Sequence, residues 1–504
     1  MSRPAVHVVI AGGGIAGLSA AWYLQQEAAA CGLELTYTVL EETERWGGKV
    51  RTDLVESEAG TFVVEGGADS FLTGQKPWGV ELAVELGLTA RLLGTNDKAR
   101  KVYVLNKGKP LPLPEGVFLL VPTKFKPFVL SPLVSPLGKL RMGLELFVPA
   151  KKDDSDETLA AFVTRRLGAE ALDKIAEPLM SGIYNAEADR QSLLATFPRF
   201  RDQEKEYGSL MRAMVAARRT TAGAATRPAP AAGPGGAKGP AMPASLFVSF
   251  RDGTEELIQA LRAGLTGTLE AGTRLTKLER TTAGRYGLAL EAAGGGPGGR
   301  VMEADAVLLA IPAFTAADLV RTLAPTAAGL LDGIRYVSTG TISLAFQGED
   351  VAQRLPGFGL VIPRSEKRPL NALTWSSTKF PHRRAPAGYS LLRAFFGGSR
   401  SPRSMELDDQ ELLAVVLREL RSLMGITGTP LLHRVYRWHR ANPQYDVDHL
   451  RRMDALDAAL PPGVWVTGSP YRGVGIPDCV LQARATAGRM VAALSAQDPA
   501  TTAL

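Results

Sequence analysis

Apolar and polar positions along this chain fall into runs whose period changes, and those changes mark the elements. Val6–Ala11 is a short, nearly continuous apolar run, the pattern of a strand buried on both faces. A glycine turn follows, then a helical stretch, then a second apolar run ending in Val39-Leu40-Glu41. Much later, Gly253–Leu265 shows helical spacing, Thr273–Leu278 reads as a strand, and Ala306–Ile311 is another buried strand, stopped by Pro312. The last return is a strand in Gly463–Ser469, a glycine turn at Gly473–Gly475, and a helix to about Leu494 with Asp478 near its N-cap. Two pieces lie between these returns. Thr158–Leu167 and Leu172–Met180 predict amphipathic helices, and Thr341–Phe346, Phe358–Ile362 and Ser390–Phe396 predict strands.

This order predicts one α/β unit that the chain leaves and re-enters, assembled from residues 1–90, 245–313 and 425–504. A helical subdomain is expected over 91–221 and a substrate-binding sheet over 314–424. Residues 222–244 are rich in Ala, Pro and Gly with almost no large apolar side chain, which predicts a surface loop.

Composition narrows the class. At 504 residues the chain exceeds a single ordinary core, and 45% hydrophobic with 22% charged residues describes a globular protein. A net charge of +7 would help steer an anionic substrate, but no basic stripe with interleaved aromatics points to nucleic acid. Two cysteines and five scattered histidines make no metal-ligand spacing, and a reducing cytoplasm is the expected compartment. No apolar run approaches the roughly 18–20 residues of a spanning helix. Val117–Val148, with Lys124, Lys126, Lys139 and Arg141 among apolar residues, reads either as a domain wall or as a weak peripheral contact with a membrane surface.

The glycines carry the chemistry. Gly12-Gly13-Gly14-Ile15-Ala16-Gly17 sits between strand and helix, where Gly12 permits the turn, Gly14 admits a pyrophosphate and Gly17 lets helix meet strand. Glu41 at the end of the second strand suits both ribose hydroxyls of an adenosine and would repel a 2′-phosphate. Glu42-Thr43-Glu44-Arg45-Trp46-Gly47-Gly48-Lys49 then adds an arginine and paired glycines, a second line of donors for the pyrophosphate of an extended FAD, though Arg45 also reads as a surface arginine. A third block, Gly66-Gly67-Ala68-Asp69, offers small residues where backbone could pass an isoalloxazine. At Val474-Gly475-Ile476 a helix N-terminus would face negative charge on a reduced flavin, though a plain strand–turn–helix unit has the same pattern.

Taken with Glu177–Tyr184, Thr196-Phe197-Pro198, Leu431–Tyr445 and Gly473–Cys479, these residues resemble the FAD-dependent porphyrinogen oxidases of haem synthesis, in the amine oxidase superfamily. Within it the chain looks most similar to the bacterial coproporphyrinogen III oxidases, with the protoporphyrinogen oxidases next. The resemblance implies a discontinuous Rossmann-like FAD domain of α/β class, with an inserted α+β substrate domain and a helical subdomain. It implies oxidation of a porphyrinogen, reoxidation by O₂ with release of H₂O₂, and contact with downstream haem-pathway enzymes as a further option. More distant readings are an amine oxidase, a desaturase, or a non-catalytic flavin-binding protein.

By the same resemblance, Gly182 and Ile183 line one face of the macrocycle, Phe395 stacks on a pyrrole, and Val361 and Thr374 are wall positions. Trp438 and Leu275 neighbour the flavin site, the latter through its backbone to the adenine, and Asp69 is a candidate pyrrole proton acceptor. Tyr445 is expected to be structural. Three departures stand out. Val102 occupies the place of a propionate-holding arginine in plant mitochondrial relatives, Asp69 that of an asparagine, and Ser469 that of an acid serving the ribityl chain.

Overall fold

A computed structural model describes residues 5–118, 120–122, 124–224, 243, 245–292, 299–351 and 357–496. Most of the expected Ala/Pro/Gly loop thus lies outside the described residues, while its first residues, to Ala224, end the helix Leu210–Ala224.

The apolar runs of the nucleotide unit meet in one parallel sheet. Its five strands stand in the order Thr268–Glu270, Leu35–Leu40, Val6–Ala11, Ala306–Leu309 and Val464–Val466. The central strand is buried at Val8, Val9 and Ile10, because both faces are covered. Helices Ile15–Cys31 and Ile476–Ala496 pack on one face. The three-stranded sheet Thr273–Arg280, Tyr286–Ala292 and Arg300–Ala304, with helices Ala313–Val320 and Pro325–Asp332, closes the other.

The second large sheet has seven strands in the order Leu432–Gln444, Arg335–Gln347, Tyr389–Gly397, Ala372–Trp375, Gly359–Val361, Val102–Asn106 and Lys109–Pro112. Two of its members come from outside the expected 314–424 boundary. Leu432–Gln444 pairs along its length with Arg335–Gln347 rather than joining the nucleotide sheet, and Val102–Asn106 runs parallel to Gly359–Val361. Alternation assigns the two faces. Ile342, Leu344, Phe346, Leu392, Ala394, Phe396, Leu373 and Trp375 pack with Leu412, Val416 and Leu420 of helix Asp409–Met424. That helix starts with a capping box, Asp408 accepting the N–H of Glu411 at 2.8 Å while the Glu411 carboxylate accepts the N–H of Asp408 at 3.0 Å. On the opposite face Ala345, Leu391 and Tyr436 pack against Val55, Phe62 and Val64, and the rest of that face borders the site.

The helical subdomain packs around Phe162, Val163, Ile175, Met180 and Leu193, and reaches Val104 and Val361 at the end of the seven-stranded sheet. Thr158 caps the predicted helix, here Leu159–Leu167, by accepting the N–H of Ala161 at 3.0 Å. Inside it lies an ion network. Arg166, fully buried, donates to Glu145 and to Glu204 at 3.2 Å, and the buried Glu145 also accepts from the Ser209 hydroxyl and the N–H groups of Leu210 and Met211. Among the described residues no helix is long and apolar enough to cross a membrane.

Removing Glu145 leaves the buried Arg166 with only the longer contact to Glu204 and backbone carbonyls. Glu145→Ala is therefore expected to cost roughly 3–5 kcal/mol, read as a lower denaturant midpoint. An unchanged midpoint would show that Arg166 finds other acceptors.

Candidate flavin and substrate site

Three turns of backbone converge at the C-terminal end of the nucleotide sheet. Gly12 has φ +112° and donates its N–H to the Leu40 carbonyl at 2.7 Å. A Cβ on Gly17 would collide with the Gly12 carbonyl, and one on Gly13 with the Trp46 ring and the Glu41 side chain. Gly14 is different: its nearest neighbours would be Gly48 Cα at 3.8 Å and the Gly47 carbonyl oxygen at 4.0 Å. The Gly47 N–H donates to the Gly13 carbonyl at 2.8 Å, tying the second glycine turn to the first. A Cβ on Gly67 would strike the Lys49 carbonyl, so the third turn abuts the second. Ile15 and Ala16 open the helix after Gly14 with no side-chain cap, which leaves first-turn N–H groups directed at this trough.

The side chains around the trough divide into those that face it and those that build it. Glu41 accepts the Gly13 N–H at 2.9 Å and the N–H and hydroxyl of Thr43 at 3.0 and 2.8 Å, leaving further lone pairs for a ribose. Glu42 lies on the surface, 3.5 Å from Arg274. Arg45 does not reach outward as the motif suggested. Its guanidinium donates to the carbonyls of Trp46 and Val50, each at 3.0 Å, and to that of Gly48, so it holds the turn in shape while keeping its charge beside it. Lys49 donates to the Ala441 carbonyl at 2.9 Å and to Ser469 Oγ at 2.8 Å. Its side chain is open to solvent, yet surrounding protein pulls its pKa down, the combination expected on the wall of a deep cleft. Leu275 is buried against Leu40, and the neighbouring Thr273 N–H bonds the Glu41 carbonyl at 2.8 Å, which brings that strand beside the adenosine end.

In the third turn, carbonyls are held from different directions. Trp438 Nε1 donates to Gly66 O at 2.9 Å, an Arg393 amino group to Gly67 O at 2.7 Å, and the Thr254 hydroxyl to Ala68 O at 3.0 Å. Asp69 pairs with Lys379 at 2.9 and 3.1 Å and accepts the Ser70 hydroxyl at 2.9 Å. Burial opposes its ionisation, but Lys379 and Arg393 outweigh this and hold the carboxyl well below the usual carboxylate range. So depressed a carboxylate is a weak base, which argues against Asp69 as the proton acceptor that the resemblance implied.

The last turn is similarly braced. Asp478 lies within the first turn of helix Ile476–Ala496 rather than at its N-cap. Lys76 grips both its oxygens, at 2.7 and 2.8 Å, and it accepts the Gly475 N–H at 3.3 Å. The Tyr445 hydroxyl donates to Ser469 O at 2.6 Å and accepts the Gly473 N–H at 2.8 Å, while its ring stacks on His449 at 4.0 Å. Val474 packs with Tyr184 and Tyr445, so this turn touches the helix Glu177–Tyr184. Gly182 and Ile183 belong to that helix, but their side chains lie outside the described residues.

The expected wall residues do share one surface. Val361 pairs with Ala372, Ala372 with Phe395, Phe395 with Thr341, and Thr341 with Tyr436; Thr374 pairs with Arg393 in the next row. All project from the sheet face opposite helix Asp409–Met424. Motif reading missed Lys76, Lys379 and Arg393. Only Arg393 left a signal, as the lone charge within Leu391-Leu392-Arg393-Ala394-Phe395-Phe396. Lys379 and Lys76 sit in segments that read as surface.

A trough floored by peptide groups, with an uncapped helix end and an acid for the ribose, fits an extended flavin dinucleotide and would be filled by any side chain at Gly14. Residues 15–491 match the family described as flavin containing amine oxidoreductase, and the chain belongs to that family. It is 35% identical to the coproporphyrinogen III oxidase of Bacillus subtilis (strain 168), over 96% of this chain and 98% of that one. It is 36% identical to the coproporphyrinogen III oxidase of Propionibacterium freudenreichii subsp. freudenreichii, over 98% and 92%. A crystal structure from Exiguobacterium sp. 255-15, assigned as a protoporphyrinogen oxidase, superposes with a TM-score of 0.81 at 28% identity, covering 97% of this chain and 100% of that one.

Gly14 and Gly17 separate cofactor space from packing. Gly14→Ala is expected to match the flavin-free wild type in unfolding midpoint yet fail to bind flavin, measured by the absorbance of the purified protein. Gly17→Ala should lower the midpoint even with flavin absent, because its Cβ meets the Gly12 carbonyl. A Gly14→Ala protein with full flavin content would refute the assignment of this space.

Proposed function

We propose that this chain is an FAD-containing oxidase that converts coproporphyrinogen III to coproporphyrin III in haem synthesis, using O₂ and releasing H₂O₂. The observation that carries this reading is the meeting of two surfaces. The glycine trough and the sheet face bearing Val361, Thr374 and Phe395 join at Gly66–Asp69, within a chain matched over its length by coproporphyrinogen III oxidases.

The residues fall into consistent roles. Gly12–Gly17 and Glu41 would hold the adenosine and the first phosphate, and the N–H groups around Gly47 and Gly48 the second. Gly66–Asp69 would border one edge of the ring and Val474–Ile476 the other. When bound, the flavin supplies a two-electron acceptor that O₂ regenerates. Phe395 offers the macrocycle a flat apolar floor, and Gly182 and Ile183 the opposing face. Asp69 serves as the counter-ion that fixes Lys379. No dedicated acid–base pair is required, because aromatisation drives the oxidation and the chain's task is to orient the ring and exclude water.

A second feature extends the proposal to where the enzyme works. Phe125, Val129, Leu130, Leu137, Leu140 and Phe147 are exposed on the helical subdomain, Leu137 and Phe147 at 79%, beside Lys124, Lys126 and Lys139. Exposed apolar side chains with lysines in the same segment suit the headgroup layer of an anionic membrane, and we assign this surface to peripheral contact.

Purified protein given coproporphyrinogen III or protoporphyrinogen IX is expected to be yellow and to form the fluorescent four-propionate porphyrin faster. A higher kcat/KM for the two-propionate substrate would overturn the choice. In the membrane test, wild type should sediment with phosphatidylglycerol vesicles and Leu137→Glu/Phe147→Glu should stay in the supernatant. Wild type that remains in the supernatant removes the membrane assignment.

A further inference from the structure

One charge on the site face does more than hold the Gly67 turn and depress the Asp69 carboxyl. Arg393 is only 3% exposed, and among the described residues no carboxylate lies within ion-pairing distance of it. Its terminal amino group donates to Gly67 O at 2.7 Å and, more weakly, to Thr341 Oγ1 at 3.4 Å. Its Nε is buried with no hydrogen-bond partner. The guanidinium lies over the Phe395 ring, 4.9 Å from the centroid. One side chain therefore holds the third glycine turn and underlies the aromatic floor at the same time.

Neighbouring charges are already matched. Asp69 and Lys379 pair at 2.9 Å, and Glu65 faces Arg384 at 3.6 Å. Burial lowers the pKa of Arg393, with Asp69 and Glu65 acting the other way, but a guanidinium starts so far above neutrality that it stays charged. A buried cation without a paired carboxylate is costly, and that cost falls when negative charge gathers nearby.

We propose that Arg393 is a positioning residue of the oxidase: it locks the Gly67 turn against the Phe395 floor and sets a fixed positive charge beside the flavin ring, favouring the electron-rich reduced coenzyme. This rests on the flavin-oxidase reading and adds to it the group that sets the coenzyme's potential and its distance from the macrocycle.

The test uses the holoenzyme, with the midpoint potential measured by anaerobic dye titration and kcat and KM measured with coproporphyrinogen III. Arg393→Met should shift the potential to more negative values and lower kcat by about tenfold or more, with KM changed by less than about threefold. Arg393→Lys keeps the charge but not the planar fork, so its potential should stay near that of wild type while kcat falls. A Met variant that binds flavin at the wild-type potential overturns the proposal and leaves the oxidase reading standing; so does a Lys variant whose potential drops as far as that of Met. Should the Met variant fail to fold, the Lys variant decides, because unchanged kcat and KM there would also overturn it. Wild-type protein without flavin or turnover would instead remove the underlying reading.

Discussion

Where Gly14 passes Gly48 and Gly67 presses on the Lys49 carbonyl, turns of backbone from separate parts of the chain come together without side chains between them. The rest of the site is arranged around that approach. Peptide N–H groups can face an anionic ligand with little loss of side-chain entropy, and a helix end adds its dipole to theirs. The arrangement is also brittle, because a single Cβ at most of these positions meets backbone rather than a side chain that could move. Arg45 shows the same logic, spending its donors on the carbonyls of Trp46, Gly48 and Val50 to keep the second turn in shape.

Apart from Arg393, the charges that brace the third and last turns of the site are held in pairs. Asp69 with Lys379 and Glu65 with Arg384 tie the nucleotide unit to the segment that carries the substrate sheet, while Asp478 with Lys76 joins two distant segments within the nucleotide unit. Desolvation makes an unpaired ion expensive, and pairing offsets that cost only where geometry is fixed. The pairing has a chemical consequence. A carboxylate held by a lysine is a poor base, so this part of the site is suited to binding and orienting a ring that becomes aromatic, not to proton abstraction by a tuned base.

The seven-stranded sheet works as a partition. One face is sealed by helix Asp409–Met424 around Phe346, Leu392 and Phe396; the other presents Val361, Thr374, Arg393 and Phe395. Because side chains alternate, a one-residue slip would exchange Phe395 with Phe396 and bury the floor in the core. Register is thus a functional property here, and the long antiparallel pairing of Arg335–Gln347 with its two neighbours enforces it.

Local pattern by itself determined the nucleotide unit: the apolar strand, the glycine turn, the helix and the acid at the end of the second strand. Each is specified within a few residues by sterics and periodicity, as are the helix at Leu159–Leu167 and the strands that bear Val361 and Phe395, whereas the short strand bearing Thr374 was found only in the folded sheet. Only the tertiary structure decided that Leu432–Gln444 and Val102–Asn106 join the substrate sheet, that Arg45 braces a turn, that Asp69 is tied to Lys379, and that Arg393 reaches Gly67. Strand pairing and buried ion pairs link residues hundreds of positions apart, as Asp69 and Lys379 are. Their energy depends on distance and burial, which arise only when the whole chain has closed.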